Sequence, residues 1–488
     1  MPKNILVFSD GTGQAGGIRP EQRLSNIYKL YRATRIDPTN SIDPAEQVAF
    51  YDAGLGTDED VGGTWLKFVR SVRKILGSAT GRGISHNIAD CYSFIVDHWE
   101  PGDRIWLFGF SRGAYTARCV ANVISLCGVP TLDGAGTPLQ RFSYRARQIA
   151  DAAVTRVYEH GAGHPLADFE DERDELAQRF RVKYGSDAIG LPNADPYFIG
   201  VFDTVAALGT KGGRRAGLWI VIGLTLFAVC AALALAGSII FALPWLMSTL
   251  VLFASAFVAF AAKLWLNARR SISDYPAKGE SRSHSISWKA DNYDRKLSRR
   301  VRYARHAIAI DETRADFDRV RWGRNSVVRE KESETDEPLI QLWFAGNHSD
   351  IGGSYPEPES RLSDIALTWM IEQATSPDIP HYLLVDRSSL KLFPSSAGMQ
   401  HCEIDGFANA HPRLSQWFKW KKLIRKAVLG ATLHPSVLDR FALPSVSQCG
   451  RNAPYRPAAL REDDRVKGYY DQTTLPAEPA PLPSETKS

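Results

Sequence analysis

The chain has 488 residues, 44% hydrophobic, 23% charged and 10% aromatic, with a formal net charge of +5. That length allows two or three domains of about 150 residues, or one enlarged α/β domain, and the composition excludes a collagen, a coiled coil, a disulfide miniprotein and disorder throughout. The six cysteines (Cys91, Cys119, Cys127, Cys230, Cys402 and Cys449) form no C-x-x-C pair, which argues against a zinc ribbon or a disulfide framework and suits a reducing compartment.

Residues 4–9 are a continuous apolar run, as in a strand covered on both faces of a parallel sheet. The run is too short for the apolar region of a signal peptide. It ends in Asp10, Gly11, Thr12 and Gly13, a loop that either simply turns the chain or offers the Gly11 or Thr12 N–H to an oxyanion. No Walker A pattern is present. Residues 47–51 form a second apolar run, and Ile88, Tyr92, Ile95, Val96 and Trp99 mark the apolar stripe of a helix.

Residues 104–108 predict a third strand, which leads directly into Gly109, Phe110, Ser111, Arg112 and Gly113, a G-x-S-x-G pattern. A helical stripe follows at Ala117, Val120, Ala121 and Ile124 and stops at Gly128 and Pro130. The pattern alone is weak; a strand before it and a helix after it are the setting of a nucleophile elbow. Such a turn holds Ser111 above the sheet and leaves the Arg112 N–H as an oxyanion donor. A fourth run, residues 197–202, ends at Asp203, which is either the orienting acid of a triad or the N-cap of a following helix.

From Ala216 to Ala262 there are 47 residues without Asp, Glu, Lys or Arg. As one straight helix this stretch is about 70 Å long, more than twice the bilayer hydrocarbon. Divided near Pro244 it gives two spans, 218–240 and 245–262, each close to the length a bilayer needs. A buried helical pair is the competing reading, but a core helix seldom lacks a polar face. Lys211, Arg214 and Arg215 precede the stretch and Lys263, Arg269 and Arg270 follow it, which places both ends on the cytoplasmic side. The segment beyond is basic, with Arg299, Arg300, Arg302 and Arg305, and suits either a solvated face or anionic lipid headgroups. No nucleic-acid recognition motif accompanies the charge.

Residues 303–310 form a fifth strand containing His306, followed by Asp311; residues 339–345 form a sixth, followed by His348, Asp350 and glycines. Strand carboxyl ends present the reactive groups in such folds, so His348 leads as general base. His306 is the alternative, set near the start of its strand and so expected at the opposite edge. Asp311 is the second choice for the acid. Ser111, Asp203 and His348 follow the Ser, Asp, His order of α/β-hydrolases. No metal is expected: there is no H-E-x-x-H, and Asp10, Asp203 and Asp350 are merely of the type that holds calcium or magnesium.

The expected fold is a doubly wound, mostly parallel, α/β-hydrolase-like sheet with an inserted two-helix transmembrane hairpin. Its parts are a first hydrolase segment (1–215), the hairpin (216–262), a basic juxtamembrane segment (263–302), a second hydrolase segment with a C-terminal extension (303–470), and a Pro-rich disordered tail (471–488). Five segments occur in one order: Phe8 to Thr12, Gly109 to Arg118, Gly200 to Val205, His306 to Glu312 and Trp343 to Gly353. Together they resemble the α/β-hydrolase family that includes the first class of type VI secretion phospholipase effectors. The resemblance covers approximately 2–210 and 300–355. It implies ester hydrolysis by a Ser-Asp-His triad, with phospholipids as substrate, and supports Ser111 and Asp203; His348 and His306 both stand in family motifs. The chain departs from the family pattern at Asn347, where a small apolar residue is usual, and in carrying the hairpin.

The function expected is a membrane-anchored serine hydrolase of phospholipid or lipid esters, with a bilayer lipid as partner and no cofactor. An acyltransferase using the same acyl-enzyme and a non-enzymatic membrane scaffold are the alternatives. Because the hairpin separates Asp203 from His348 in sequence, a working triad requires an even number of spans.

Overall fold

The computed structural model describes residues 2–11, 23–53, 82–205, 213–241, 244–286, 297–320, 322, 338–404, 406 and 421–471. Thr12 and the Pro-rich tail beyond residue 471 lie outside them.

All six apolar runs form strands. In chain order the elements that matter are β1 (Asn4–Ser9), α1 (Asn26–Thr34), β2 (Gln47–Asp52), α2 (Arg82–His98), β3 (Arg104–Phe110), α3 (Arg112–Cys127), α4 (Tyr144–Ala152), α5 (Glu170–Tyr184) and β4 (Pro196–Phe202). The apolar helices α6 (Gly213–Phe241) and α7 (Trp245–Ala268) come next, then a small antiparallel hairpin of β5 (Arg269–Ser273) and β6 (Ser281–Ser285). The later elements are β7 (Tyr303–Ala309), β8 (Leu339–Phe344), α8 (His348–Gly352), α9 (Arg361–Ala374) and α10 (Pro435–Ala442).

Six strands make one sheet in the order β8, β7, β4, β3, β1, β2. The register is parallel between β1 and β2, β1 and β3, and β3 and β4, with Val7 opposite Phe50 and Leu107, and Phe108 opposite Gly200. The residues of β1 and β4 are buried along their whole length, as a sheet covered on both faces requires. Helix α3 ends where Gly128 takes φ 64° and its N–H returns to Ile124 O.

Chain contacts divide the protein into two compact units. The first comprises 1–306, 319–340 and 373–390, and the second 307–318, 341–372 and 391–488. The first has a large core in which Ile88, Tyr92, Ile95, Val120 and Ile124 from α2 and α3 pack against Ile5, Val7, Ile105 and Leu107 of the sheet. The second is built on Ile308, Ile310, Trp343, Phe441, Tyr455 and Leu460.

Helices α6 and α7 contain two stretches long and apolar enough to cross a membrane, Ile220–Ile239 and Trp245–Ala268, with mean hydropathies of 2.5 and 2.0. Only 11% and 6% of their apolar windows are buried, so neither behaves as a core helix. The two pack on each other through Phe227 and Phe253, with ring centroids 5.4 Å apart, and Trp245 Nε1 donates to Ala231 O at 3.1 Å. Cationic residues of the basic segment are engaged with the protein. Arg300 Nη2 bonds Asp195 Oδ2 at 3.0 Å, and Arg302 lies over the Tyr197 and Tyr303 rings.

Cys402 and Cys449, 47 residues apart, form a disulfide with Cα atoms 5.0 Å apart. The sequence argued against a disulfide framework, and this single pair, so far apart in sequence, leaves no spacing signal. Cys91, Cys119, Cys127 and Cys230 are buried.

The turn from β3 into α3 depends on a close approach. A Cβ on Gly113 would lie 2.0 Å from Ser9 O, and one on Gly109 would lie 2.5 Å from Gly113 O and from the Ala114 Cα. The obstacles are backbone atoms, which cannot rotate away. Gly113→Ala is therefore expected to destabilise the protein by about 3 kcal/mol or more, seen as a lower midpoint in chemical denaturation. Wild-type stability in that variant would show that β1 can withdraw from the turn.

Candidate active site

Ser111 stands between β3 and α3 with φ 58° and ψ −122°, a conformation that costs a non-glycine residue about 1–3 kcal/mol and persists only where the surroundings impose it. The surroundings are the glycines just described and the end of β4. The Ser111 N–H donates to Phe202 O at 3.2 Å, and the Val205 N–H donates to Ser111 O at 3.4 Å. Asp203 lies in the turn that these two bonds bracket, fully buried, with φ 34°. The candidate nucleophile and the candidate acid are thus carried on two strand ends tied to each other through backbone. Arg112 begins α3, so its N–H has no acceptor inside the helix. Burial pulls its guanidinium down to about 10.

His306 is the fourth of seven residues in β7 and is fully buried. Its Nε2 accepts the Thr204 N–H at 3.3 Å, beside the Asp203 turn. That corrects the expectation of a place at the opposite edge, because β7 neighbours β4 and starts three residues before the histidine. The same turn is held from the other side, where the Val320 N–H donates to Thr204 O at 2.9 Å. Arg118 Nη1 in turn donates to Val320 O at 2.8 Å and lies 4.5 Å from the Trp322 ring centroid. Sequence reading assigned Arg118 no role; its signal was a basic residue on the apolar face of an elbow helix.

The loop after β1 is also organised. The Asp10 carboxylate accepts Gly11 N–H at 2.7 Å, Tyr51 Oη–H at 2.7 Å and the Ser25 hydroxyl. The Gly11 N–H considered for an oxyanion thus faces its neighbour's carboxylate. One layer further out, Asp52 accepts Ser9 Oγ–H at 2.7 Å and Asn87 Nδ2–H at 2.9 Å. Burial outweighs these bonds and pushes Asp10 up to about 6 and Asp52 to about 7.

His348, in the second unit, opens the short helix α8 just past β8 and is 3% exposed. Its N–H donates to Glu312 Oε2 at 3.3 Å, and the Phe317 ring meets its imidazole edge-on, with centroids 5.1 Å apart. Burial works to raise the Glu312 carboxyl, but Arg314, which bonds both its oxygens at 2.9 and 2.7 Å, and the nearby His348 hold it below the usual range. Asn347, the departure from the family pattern, caps α8: its side chain accepts Ser349 and Asp350 N–H, and Asp350 Oδ2 returns to the Asn347 N–H at 3.0 Å. Asp350 is not a solvent carboxylate; it bonds His401 Nδ1 at 2.8 Å, while His401 Nε2 bonds Glu359 at 3.0 Å. Asp311, the second choice for the acid, accepts Gly346 N–H and Tyr455 Oη–H at 2.8 Å each, and burial pushes it up to about 6.

A family model described as a type VI secretion phospholipase effector, Tle1-like, catalytic domain, matches residues 3–222 and 265–373. The chain belongs to this Tle1-like family. The match omits 223–264, almost the whole of the apolar hairpin. The chain is also similar to an uncharacterized protein of Saccharomyces cerevisiae, YEL023C, at 25% identity over 427 residues. That alignment covers 76% of this chain but spans only 57% of the yeast protein's length. Among solved structures, an uncharacterized protein from Pseudomonas aeruginosa aligns over 80% of this chain and 48% of its own, with 16% identity and a TM-score of 0.34.

The raised carboxyls around β1 carry a signed pH dependence. A folded-state value above the unfolded one means that folding takes up protons; the stability is full below the unfolded value near 4 and is lost as pH rises through 6 and 7. The unfolding free energy from chemical denaturation is expected to fall between pH 5 and pH 8 by about 2–4 kcal/mol. Asp10→Asn with Asp52→Asn should flatten that slope; a slope unchanged in the double variant would assign it to other groups.

Proposed function

We propose that this Tle1-like protein is a membrane-anchored serine hydrolase of phospholipid carboxylic esters. The observation that carries the reading is the elbow: Ser111 held at a forced positive φ between a buried strand and a helix, with its backbone bonded to the turn that bears Asp203. The family's description as a phospholipase effector supports a lipid ester as substrate.

In this reading Ser111 Oγ attacks the acyl carbonyl while His348 takes its proton, and the tetrahedral oxyanion is stabilised by the Arg112 N–H. The intermediate collapses, His348 returns the proton to the departing lysolipid oxygen, and the acyl group stays on Ser111. Water, deprotonated by His348, then releases the fatty acid. Asp203 orients the imidazole and stabilises its charged form. The bond from Thr204 N–H to His306 Nε2 supports this choice of base, because the nitrogen it occupies already serves to hold the Asp203 turn. Helices α6 and α7 cross the bilayer as a hairpin, with both ends and the catalytic units on the cytoplasmic side, so a lipid reaches the mouth without leaving the membrane surface completely.

A serine-reactive fluorophosphonate is expected to label the detergent-solubilised protein, and Ser111→Ala to abolish both labelling and fatty-acid release from phosphatidylcholine–phosphatidylglycerol vesicles. His348→Ala should lower kcat by about 10³-fold or more. His306→Ala should mainly lower stability. A folded His306→Ala protein that is inactive beside an active His348→Ala would move the base to His306. Activity on soluble short-chain esters with intact vesicles would remove the lipid assignment, and transfer to an added alcohol in preference to water would make the enzyme an acyltransferase.

The anchor has its own test. Leu233 and Val251 are 61% and 60% exposed on α6 and α7. Arginine at both positions costs insertion about 5–7 kcal/mol, and the variant is expected to leave the membrane fraction on carbonate washing. Wild-type retention of that variant would exclude the hairpin as a transmembrane anchor.

A further inference from the structure

Away from the elbow, three elements of the first unit bring together a set of donors that the hydrolytic reading leaves without a task. His160 follows the π-helical turn Ala153–Tyr158, Glu172 lies in the first turn of α5, and His284 lies on β6, in the hairpin entered directly from α7. One ligating atom from each lies within 4.8 Å of those of the other two. The imidazoles of His160 and His284 stand edge to face with centroids 4.4 Å apart. The His160 side chain has no exposure to solvent, and His284 is half-buried, which leaves an approach from outside.

The hydrogen bonds bear on what these nitrogens hold. His160 Nε2 is 2.6 Å from Glu172 Oε2, whereas His160 Nδ1 is buried without any hydrogen-bond partner. His284 Nε2 accepts the Gly161 N–H at 2.9 Å, a bond that coordination through this nitrogen displaces.

The surrounding charges are accounted for. Arg270 is paired with Glu159, and Arg282, 56% exposed, sits 3.4 Å from the other Glu172 oxygen, from which it can swing into solvent. Arg173 lies over the Tyr158 ring. His164 Nε2 bonds Ser285 O at 2.9 Å, and its ring lies 5.9 Å from that of His284.

We propose that His160, Glu172 and His284 form a site for a divalent transition-metal ion of the zinc class, which fastens the β5–β6 hairpin at the end of the second apolar helix to the catalytic unit. Two imidazoles and a carboxylate suit zinc, with bonds of about 2.0–2.2 Å and a position left for water or His164. Coordination takes the place of the hydrogen bonds that now join the cluster, and any proton shared by His160 and Glu172 leaves to solvent. The cluster shares no residue with the proposed triad, so its test does not depend on the hydrolase reading.

The test uses the full-length, detergent-solubilised chain without a polyhistidine tag, stripped with chelator and titrated with Co²⁺ and Zn²⁺. One equivalent is expected to bind, with the intense visible absorption of four-coordinate cobalt and a rise in Tm on adding zinc. His284→Ala should weaken binding at least 100-fold and Glu172→Gln at least tenfold, while His86→Ala on the exposed face of α2 should change neither. Binding that survives His284→Ala and Glu172→Gln unchanged, or no equivalent retained by wild type, overturns the proposal. Should the half-buried His284→Ala protein fail to fold, His284→Gln, which keeps the acceptor for Gly161, reads the same loss.

Discussion

The site depends on how closely two backbones can approach. Between β3 and α3 the chain must reverse against the end of β1, and at Gly113 the gap to Ser9 O leaves no room for a side chain. A helix that starts so close to the sheet leaves only one residue for the turn itself. That residue is Ser111, and its positive φ follows from the approach on one side and from the Phe202 and Val205 bonds on the other. Strain is therefore held at Ser111, itself only 6% exposed, and the two buried strands β1 and β4 sustain it.

Most of this was legible because a parallel sheet covered on both faces writes itself as uninterrupted apolar runs. Runs at 4–9, 104–108 and 197–202 became strands whose ends moved by no more than two residues. What sequence could not carry was contact between distant residues. The bond from Thr204 to His306 joins positions 102 apart, and nothing along the chain marks which nitrogen of the imidazole is occupied. Arg118 was visible as a basic residue in a motif, yet its acceptor, Val320 O, is a backbone atom without any side-chain signature. The disulfide between Cys402 and Cys449 was missed for the same reason.

Asn347 illustrates a departure that the structure rationalises. A small apolar residue there could not accept the Ser349 and Asp350 N–H groups, nor donate to Tyr355 Oη and His401 O at 2.9 Å each. Helix α8 is only five residues long and has little propagation energy of its own, so its first turn is stabilised chiefly by the cap. Asp350 completes the capping box and is itself buried against His401, which raises His401 although burial alone would lower it. The cap, the carboxylate and the second histidine form one fully bonded network in the second unit. His348 is the first residue of the helix that this network holds.

The hairpin raises a topological question that the sheet answers. Strand β4 ends at Phe202, before α6, and β7 begins at Tyr303, after β6, yet the two are neighbours in one sheet. The Arg302 N–H also bonds Pro196 O at 3.2 Å, so the returning chain is fastened beside the start of the strand from which it departed. Under the proposed membrane anchoring, a chain that leaves a folded sheet for a membrane and returns to the adjacent strand must cross an even number of times. Two apolar helices joined near Pro244 meet that condition with the minimum number of spans. The Tle1-like family match stops at 222 and resumes at 265, the same interval, which is what an insertion between adjacent strands produces when the strands themselves are kept. The chain leaving α7 must be secured to the first unit, and the pairing of Arg270 with Glu159 at the exit of that helix is one such fastening.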